Sequence, residues 1–167
     1  MRDLFIKQKI LKITDHYPVL DAGGNTVYYV DQNFQLFGLS VEISNPSGQI
    51  LCHIDRKIIA LLPTFFLQFA NGEEVVMRSR FTLFRQKIDI SPDEFGIYIE
   101  GDILDYNFSV FRGGQMIGRI NKKFLALSDT YHLEIFQEEF ELLFVAIVVA
   151  IDHIKDAKQA AANSGSQ

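Results

Sequence analysis

Near the end of this 167-residue chain, Leu142 to Ile151 form an unbroken apolar run, and it constrains the fold more than any other stretch. Glu138, Glu139 and Glu141 precede it, and Asp152, Lys155 and Asp156 follow. As a helix the run spans about 15 Å, roughly half the hydrocarbon core of a bilayer, which is too short to cross one. Its helical wheel has no polar face, and a helix apolar all round belongs inside a protein. Val145, Ile147, Val148, Val149 and Ile151 would also suit a buried strand, since periodicity does not separate the two in so short a run. The flanks favour the helix: acids at its start and Lys155 and Lys158 near its end complement the macrodipole. The expectation is a buried axial helix over about 138–155 within one domain of residues 1–157, with 158–167 as a solvated tail.

Ahead of that helix the chain reads as strands punctuated by turns. Leu4 to Ile13 is a first apolar and basic strand, Thr26 to Val30 another, and Phe34 to Ile43 carries further β-type residues. Asp21-Ala-Gly-Gly-Asn25, Asn45-Pro-Ser-Gly48, Asn71-Gly72, Ser91-Pro-Asp93 and Arg112-Gly-Gly114 are turn signals, with Asn71-Gly72 favouring a type I′ hairpin. Strands at this spacing, with no helical pattern before residue 137, indicate a sandwich or barrel.

The chain also repeats itself. Gly48–Leu67 aligns without a gap on Gly114–Leu133, with Gly, Gln, Ile, Lys, Ala, Leu, Thr and Leu identical. Val30-Asp-Gln-Asn-Phe34 echoes Ile99-Glu-Gly-Asp-Ile103 more weakly. Two tandem half-domains follow, because such self-similarity reflects a repeated supersecondary unit. Two β halves and one wholly apolar helix combine most simply as a closed barrel, which removes strand edges, with the helix as its filling. Burying about ten large apolar side chains contributes on the order of 15–30 kcal/mol as an upper bound. Since the filling comes last in the chain, the barrel is not expected to be stable without it.

Composition narrows the function classes. Fifteen Phe and 48% hydrophobic residues exclude a disordered chain. A net charge of −5 argues against general nucleic-acid binding. The single cysteine, Cys52, forms no internal disulfide and builds no zinc site. That suits a reducing compartment. The N-terminus lacks the apolar core of a secretory signal, so a cytoplasmic location is expected.

Met1-Arg-Asp-Leu-Phe-Ile-Lys-Gln-Lys9, the Val27-Tyr-Tyr-Val30 strand, Ile99-Glu-Gly-Asp102, Gly118-Arg-Ile-Asn-Lys-Lys123 and the closing helix ending in Ala-Ile-Asp152 resemble the LURP-one-related family. That family is grouped with tubby and the phospholipid scramblases. The resemblance runs from Met1 to about Ile154 and departs at Ala126-Leu-Ser128, where relatives often carry an aromatic. It implies a tubby-like fold, a twelve-stranded antiparallel barrel around a central hydrophobic C-terminal helix. For function it implies only a leaning towards binding an anionic phospholipid headgroup or a similar anion, peripheral at the inner membrane face; a protein-interaction or regulatory scaffold and an enzyme of unrecognised type stay open beside it. No lipid motif of tubby maps onto this chain residue by residue, so candidate cations come from the chain's own pattern.

The richest basic run is Arg78, Arg80, Arg85 and Lys87, with no acid between them. Four cations on a barrel face could hold a phosphate-bearing headgroup; a solvated strand with gatekeeper charges is the simpler reading. Arg56-Lys57 and Lys122-Lys123 occupy matching places in the two halves, where charges pointing into water at a strand end suffice. Glu138, Glu139 and Glu141 suit a helix N-terminus without any chemistry. Glu100 and Asp102 would share a strand face, with exposure the simpler explanation. The four histidines lack metal-ligand spacing, and strand alternation separates Cys52 from His53. No nucleophile elbow, phosphate loop or dinucleotide fingerprint is present. The expectation is no catalytic residue, no metal and no cofactor, with an anionic lipid or an unknown protein as partner.

Overall fold

A computed structural model describes residues 1–7, 16–35, 38–57, 64–81, 86–91, 96–103, 105–125 and 128–164. The described strands are β1 (Arg2–Lys7), β2 (His16–Asp21), β3 (Thr26–Gln35), β4 (Gly38–Ser44), β5 (Ile50–Lys57) and β6 (Thr64–Phe69). They continue as β7 (Glu74–Phe81), β8 (Gln86–Ser91), β9 (Ile97–Asp102), β10 (Asn107–Arg112), β11 (Gln115–Leu125) and β12 (Ser128–Ile135). Each pairs antiparallel with its sequence neighbours, and β1 closes the barrel on β12, from Arg2 opposite Ile135 to Lys7 opposite Thr130. Closure leaves no open edge to recruit another strand. Phe5 stacks on His132 across this seam at 4.7 Å, and His132 Nε2 lies 2.7 Å from Asp3 Oδ1.

Period-two alternation decides which side chains enter the barrel. Leu4 and Ile6, Tyr17 and Val19, Cys52 and Ile54, Phe65 and Leu67, and Ile97 and Ile99 are all buried, each with a more exposed residue between. The first expected strand is shorter than Leu4 to Ile13, and its residues 8–13 lie outside the described ones. The Phe34–Ile43 stretch is divided between β3 and β4.

Three hairpin turns share one design. The amides of Gly24, Gly48 and Gly72 donate to the carbonyls of Asp21, Asn45 and Phe69, three residues back. Those three starting residues in turn donate to the carbonyls of Asn25, Gln49 and Glu73. Each glycine adopts positive φ, from 81° to 88°, as the left-handed residue of a turn and bulge. Asn71 is not in that region, so Asn71-Gly72 is a type I turn closed by a glycine bulge rather than the expected type I′ hairpin. Asp21 and Asn45 reinforce their turns by accepting side-chain hydrogen bonds from the loop amides.

The register of β5 on β6 recurs in β11 on β12 at the offset of the sequence match. Cys52 faces Phe69, Ile54 faces Leu67 and Arg56 faces Phe65. At the aligned positions Gly118 faces Ile135, Ile120 faces Leu133 and Lys122 faces Tyr131. The bulge between Ile43 and Ser44 has its counterpart between Val110 and Phe111.

After β12 a 3-10 turn, Glu138–Phe140, feeds helix α1, Glu141–Ser164. Residues 143–154 are buried all round, within the barrel. At 1.5 Å per residue that segment spans about 18 Å, close to the height of strands six to eight residues long. The helix ends later than the expected 155 because Ala157, Lys158, Gln159 and Ala160–Ala162 are good helix formers once a nucleus exists. It enters at the mouth that holds the starts of β1 and β3 and leaves at the opposite mouth, beside the β9–β10 turn.

An apolar helix carries no record of its depth, and two carboxylates supply one. At the entry mouth the buried Glu141 accepts a 2.8 Å hydrogen bond from Tyr28 Oη and lies 2.8 Å from Arg2 Nε. Near the exit, the buried Asp152 accepts a 2.8 Å hydrogen bond from Tyr106 Oη. Glu141 is thus a buried anchor rather than one more exposed acid at a helix start. Gly118 admits the helix sideways: a Cβ there would lie 2.5 Å from Phe144 Cζ and from the Glu134 carbonyl oxygen.

Candidate functional site

The basic run changes character across the sheet. Arg78 is exposed on β7, and its partner on β8 is Asp89. Arg80 faces Lys87, and Lys87 faces Glu100 on β9. A run free of acid along the chain therefore meets two acids across the ladder. Arg85 lies outside the described residues.

Topology does bring other cations to the same end. Arg56-Lys57 at the end of β5, Lys122-Lys123 late in β11, Lys7 at the end of β1 and the Arg80–Lys87 pair all stand at the exit mouth, where Lys155 leaves on the helix. Asp55, Glu100, Asp102, Asp105, Asp129 and Asp156 share that end. The entry mouth is the acidic pole, with Asp21, Glu73, Glu74, Glu138, Glu139 and Glu141 against Arg2 and Arg112. Arg56 does not point simply into water, contrary to expectation. It is half-buried with a buried Nε, on the same alternation as Cys52 and Ile54.

Inside the exit mouth lies a polar cluster that sequence reasoning missed. Tyr106 stacks on Tyr131 at 3.9 Å and 23°, Lys155 Nζ sits 5.3 Å from the Tyr106 ring centre, and Tyr17 Oη accepts from Gln32 Nε2 at 3.1 Å. Tyr106 adopts φ 52°, a left-handed conformation that bulky residues occupy only when their surroundings hold them there. Burial, and then the Asp152 charge, push the Tyr106 phenol far above its ordinary range. Burial likewise raises Tyr17, against the lowering effect of Gln32. His153, buried next on the helix, is pushed down to about 4, first by burial and then by the Arg56 charge. One local signal existed: Asp152-His153 is followed by the apolar Ile154, so the polar pair still lies within the buried span.

Cys52 is buried, and burial pushes its thiol up to about 12, so it stays protonated and unreactive. His53 points the other way, its Nδ1 3.5 Å from Glu42 Oε1. Among the described residues no group of three His, Cys, Asp or Glu is placed to hold a metal. No helix among them is long and apolar enough to cross a membrane.

At the entry mouth a cavity of ≈ 700 Å³ opens between the barrel rim and the first turn of α1. Leu51, Phe69, Val75, Ile90, Ile97, Leu142 and Leu143 supply an apolar lining. Asn71, Glu73, Arg112 and Glu139 add polar groups. Arg112 Nη1 lies 3.4 Å from Glu139 Oε1, and its guanidinium carbon 5.1 Å from the Phe140 ring centre. Ile50, Met116 and Phe136 are exposed apolar side chains around the same mouth. Residues from six strands, the 3-10 turn and the helix meet here, and no contiguous stretch of sequence announces it.

Comparison with known proteins agrees with this architecture. A family model described as LURP-one-related matches residues 2–152. The uncharacterized protein YxjI of Bacillus subtilis (strain 168) is 28% identical over 154 residues, covering 92% of this chain and 94% of the relative. No solved structure gives a significant match. With its closed barrel, its C-terminal helix and a family match over nearly its whole length, the chain belongs to the LURP-one-related family.

Proposed function

We propose that this chain is a non-catalytic, tubby-like binding module that meets an anionic phospholipid headgroup or a similar anion at its exit mouth. The observation that carries the reading is the gathering of Arg56-Lys57, Arg80, Lys87, Lys122-Lys123 and Lys155 at one end, away from the acidic pole. Such an axial separation of charge turns one end towards a negative surface even though the net charge is −5. Each cation near an anionic membrane contributes about 1 kcal/mol, so attachment is weak and salt-sensitive. Arg78 is the least suited of the expected site residues because Asp89 stands opposite it. The non-catalytic part of the reading draws support from burial of the nucleophile and acid–base candidates: Cys52, Tyr17 and Tyr106 are all held in their neutral forms. A cytoplasmic protein working peripherally at the inner membrane face fits this chemistry.

The test is sedimentation with liposomes at low salt, neutral against phosphatidylserine-containing, for the wild type and Arg80→Glu/Lys122→Glu. The expected result is pelleting of the wild type with the anionic vesicles alone, lost in the double variant and at high salt. Equal, negligible pelleting in every arm would refute it. A protein-binding module, favoured by the exposed Ile50, Met116 and Phe136, would then lead.

A further inference from the structure

We propose that the entry-mouth cavity is a second, separate site, for an amphiphile with an apolar chain and a cationic head group. Its ≈ 700 Å³ lies within the range of small-molecule sites, about 300–1,000 Å³. Leu143 from the helix and Val75 and Ile97 from the barrel, each almost completely buried, give it an apolar interior where an alkyl chain leaves water.

The lip decides the head group. Its cation, Arg112, is already engaged by Glu139 and by the Phe140 ring. Glu73, on the same lip, accepts from Asn71 Nδ2 at 3.4 Å, and no ion pair to it is present among the described residues. Glu74 follows it at the start of β7, so Glu73, Glu74 and Glu139 outnumber Arg112 and the field at the opening is negative. An ammonium group there gains attraction that a carboxylate would lose. This ligand is opposite in charge to the one proposed for the exit mouth and binds at the other end of the barrel. Either site can therefore fail without the other.

Isothermal titration calorimetry of the full chain tests it, with decyltrimethylammonium, decyl maltoside and decanoate, each below its micellar concentration. The expected result is saturable one-to-one binding of decyltrimethylammonium, at least ten-fold tighter than decanoate, with the neutral maltoside between. Ala70→Trp, on the exposed rim, should block all three, and Glu73→Gln should bring the cation's affinity close to the maltoside's. Absence of saturable binding overturns the proposal. So does decanoate binding as tightly as the cation, or unchanged cation binding in a cooperatively melting Ala70→Trp or in Glu73→Gln.

Discussion

Replacing Gly118 by alanine tests how closely the helix fills the barrel. The new Cβ would lie 2.5 Å from the Glu134 carbonyl oxygen and 2.5 Å from Phe144 Cζ. Carbon contacts are comfortable near 3.5–4.0 Å, so both neighbours must retreat by about 1 Å. Neither does so easily. Glu134 belongs to the β11–β12 ladder, and Phe144 is wholly buried. Overpacking typically costs about 1–3 kcal/mol, and two hard contacts, one with backbone, put Gly118→Ala at about 2–3 kcal/mol. At roughly 2–4 °C per kcal/mol for a chain of this size, the melting temperature should fall by about 5–10 °C. Urea unfolding followed by far-UV circular dichroism reads the loss directly. Phe144→Leu relieves the ring contact but not the carbonyl one. In the Gly118→Ala background its effect should therefore depart from additivity by about 1 kcal/mol. A Gly118→Ala protein within about 0.5 kcal/mol of wild type, or strictly additive losses, would refute the packing of Phe144 over Gly118.

Other consequences follow from the same packing. Val148→Asp buries a carboxylate with no partner, costing several kcal/mol of a total stability of about 5–15 kcal/mol, and should leave no soluble, cooperatively melting protein on size-exclusion and thermal assays. Tyr106→Phe removes a donor to the buried Asp152 and should cost about 1.5–3 kcal/mol in urea unfolding; a change below about 0.5 kcal/mol would contradict the depth-anchoring role. His153, held at about 4 in the fold against about 6.5 unfolded, takes up its proton first in the unfolded chain. Stability should therefore be complete above about pH 6.5 and fall by up to about 3 kcal/mol as pH drops to about 4, and a His153→Gln variant should lack that component; equal pH slopes for the two proteins would contradict it.

The parts legible in the sequence were those set by local chemistry. Leu142–Ile151 announced a buried helix because its apolar residues leave no polar face, and that helix in turn required a wall with no edges. Within the segments that align without a gap, Gly48–Leu67 and Gly114–Leu133, Ile54 pairs with Leu67 and Ile120 with Leu133. Long-range partnerships were hidden. Glu141 looked like an ordinary acid at a helix start because Tyr28 and Arg2, its partners, lie more than a hundred residues away in the chain. Asp89 and Glu100 modify the Arg78–Lys87 run from neighbouring ladder positions, which only the register reveals. The helix ran past 155 because alanine-rich sequence that could fray also propagates well from a helix fixed inside a barrel.

Native-state amide hydrogen exchange of α1, followed residue by residue by NMR, tests most directly the claim that the helix is the core of the barrel. The amides of Val145 to Ile151 should exchange only through global unfolding, with the same free energy and denaturant dependence as the most protected strand amides. Exchange of these amides at lower free energy, while the strands stay protected, would mean a barrel that stands without its helix, and would contradict the claim.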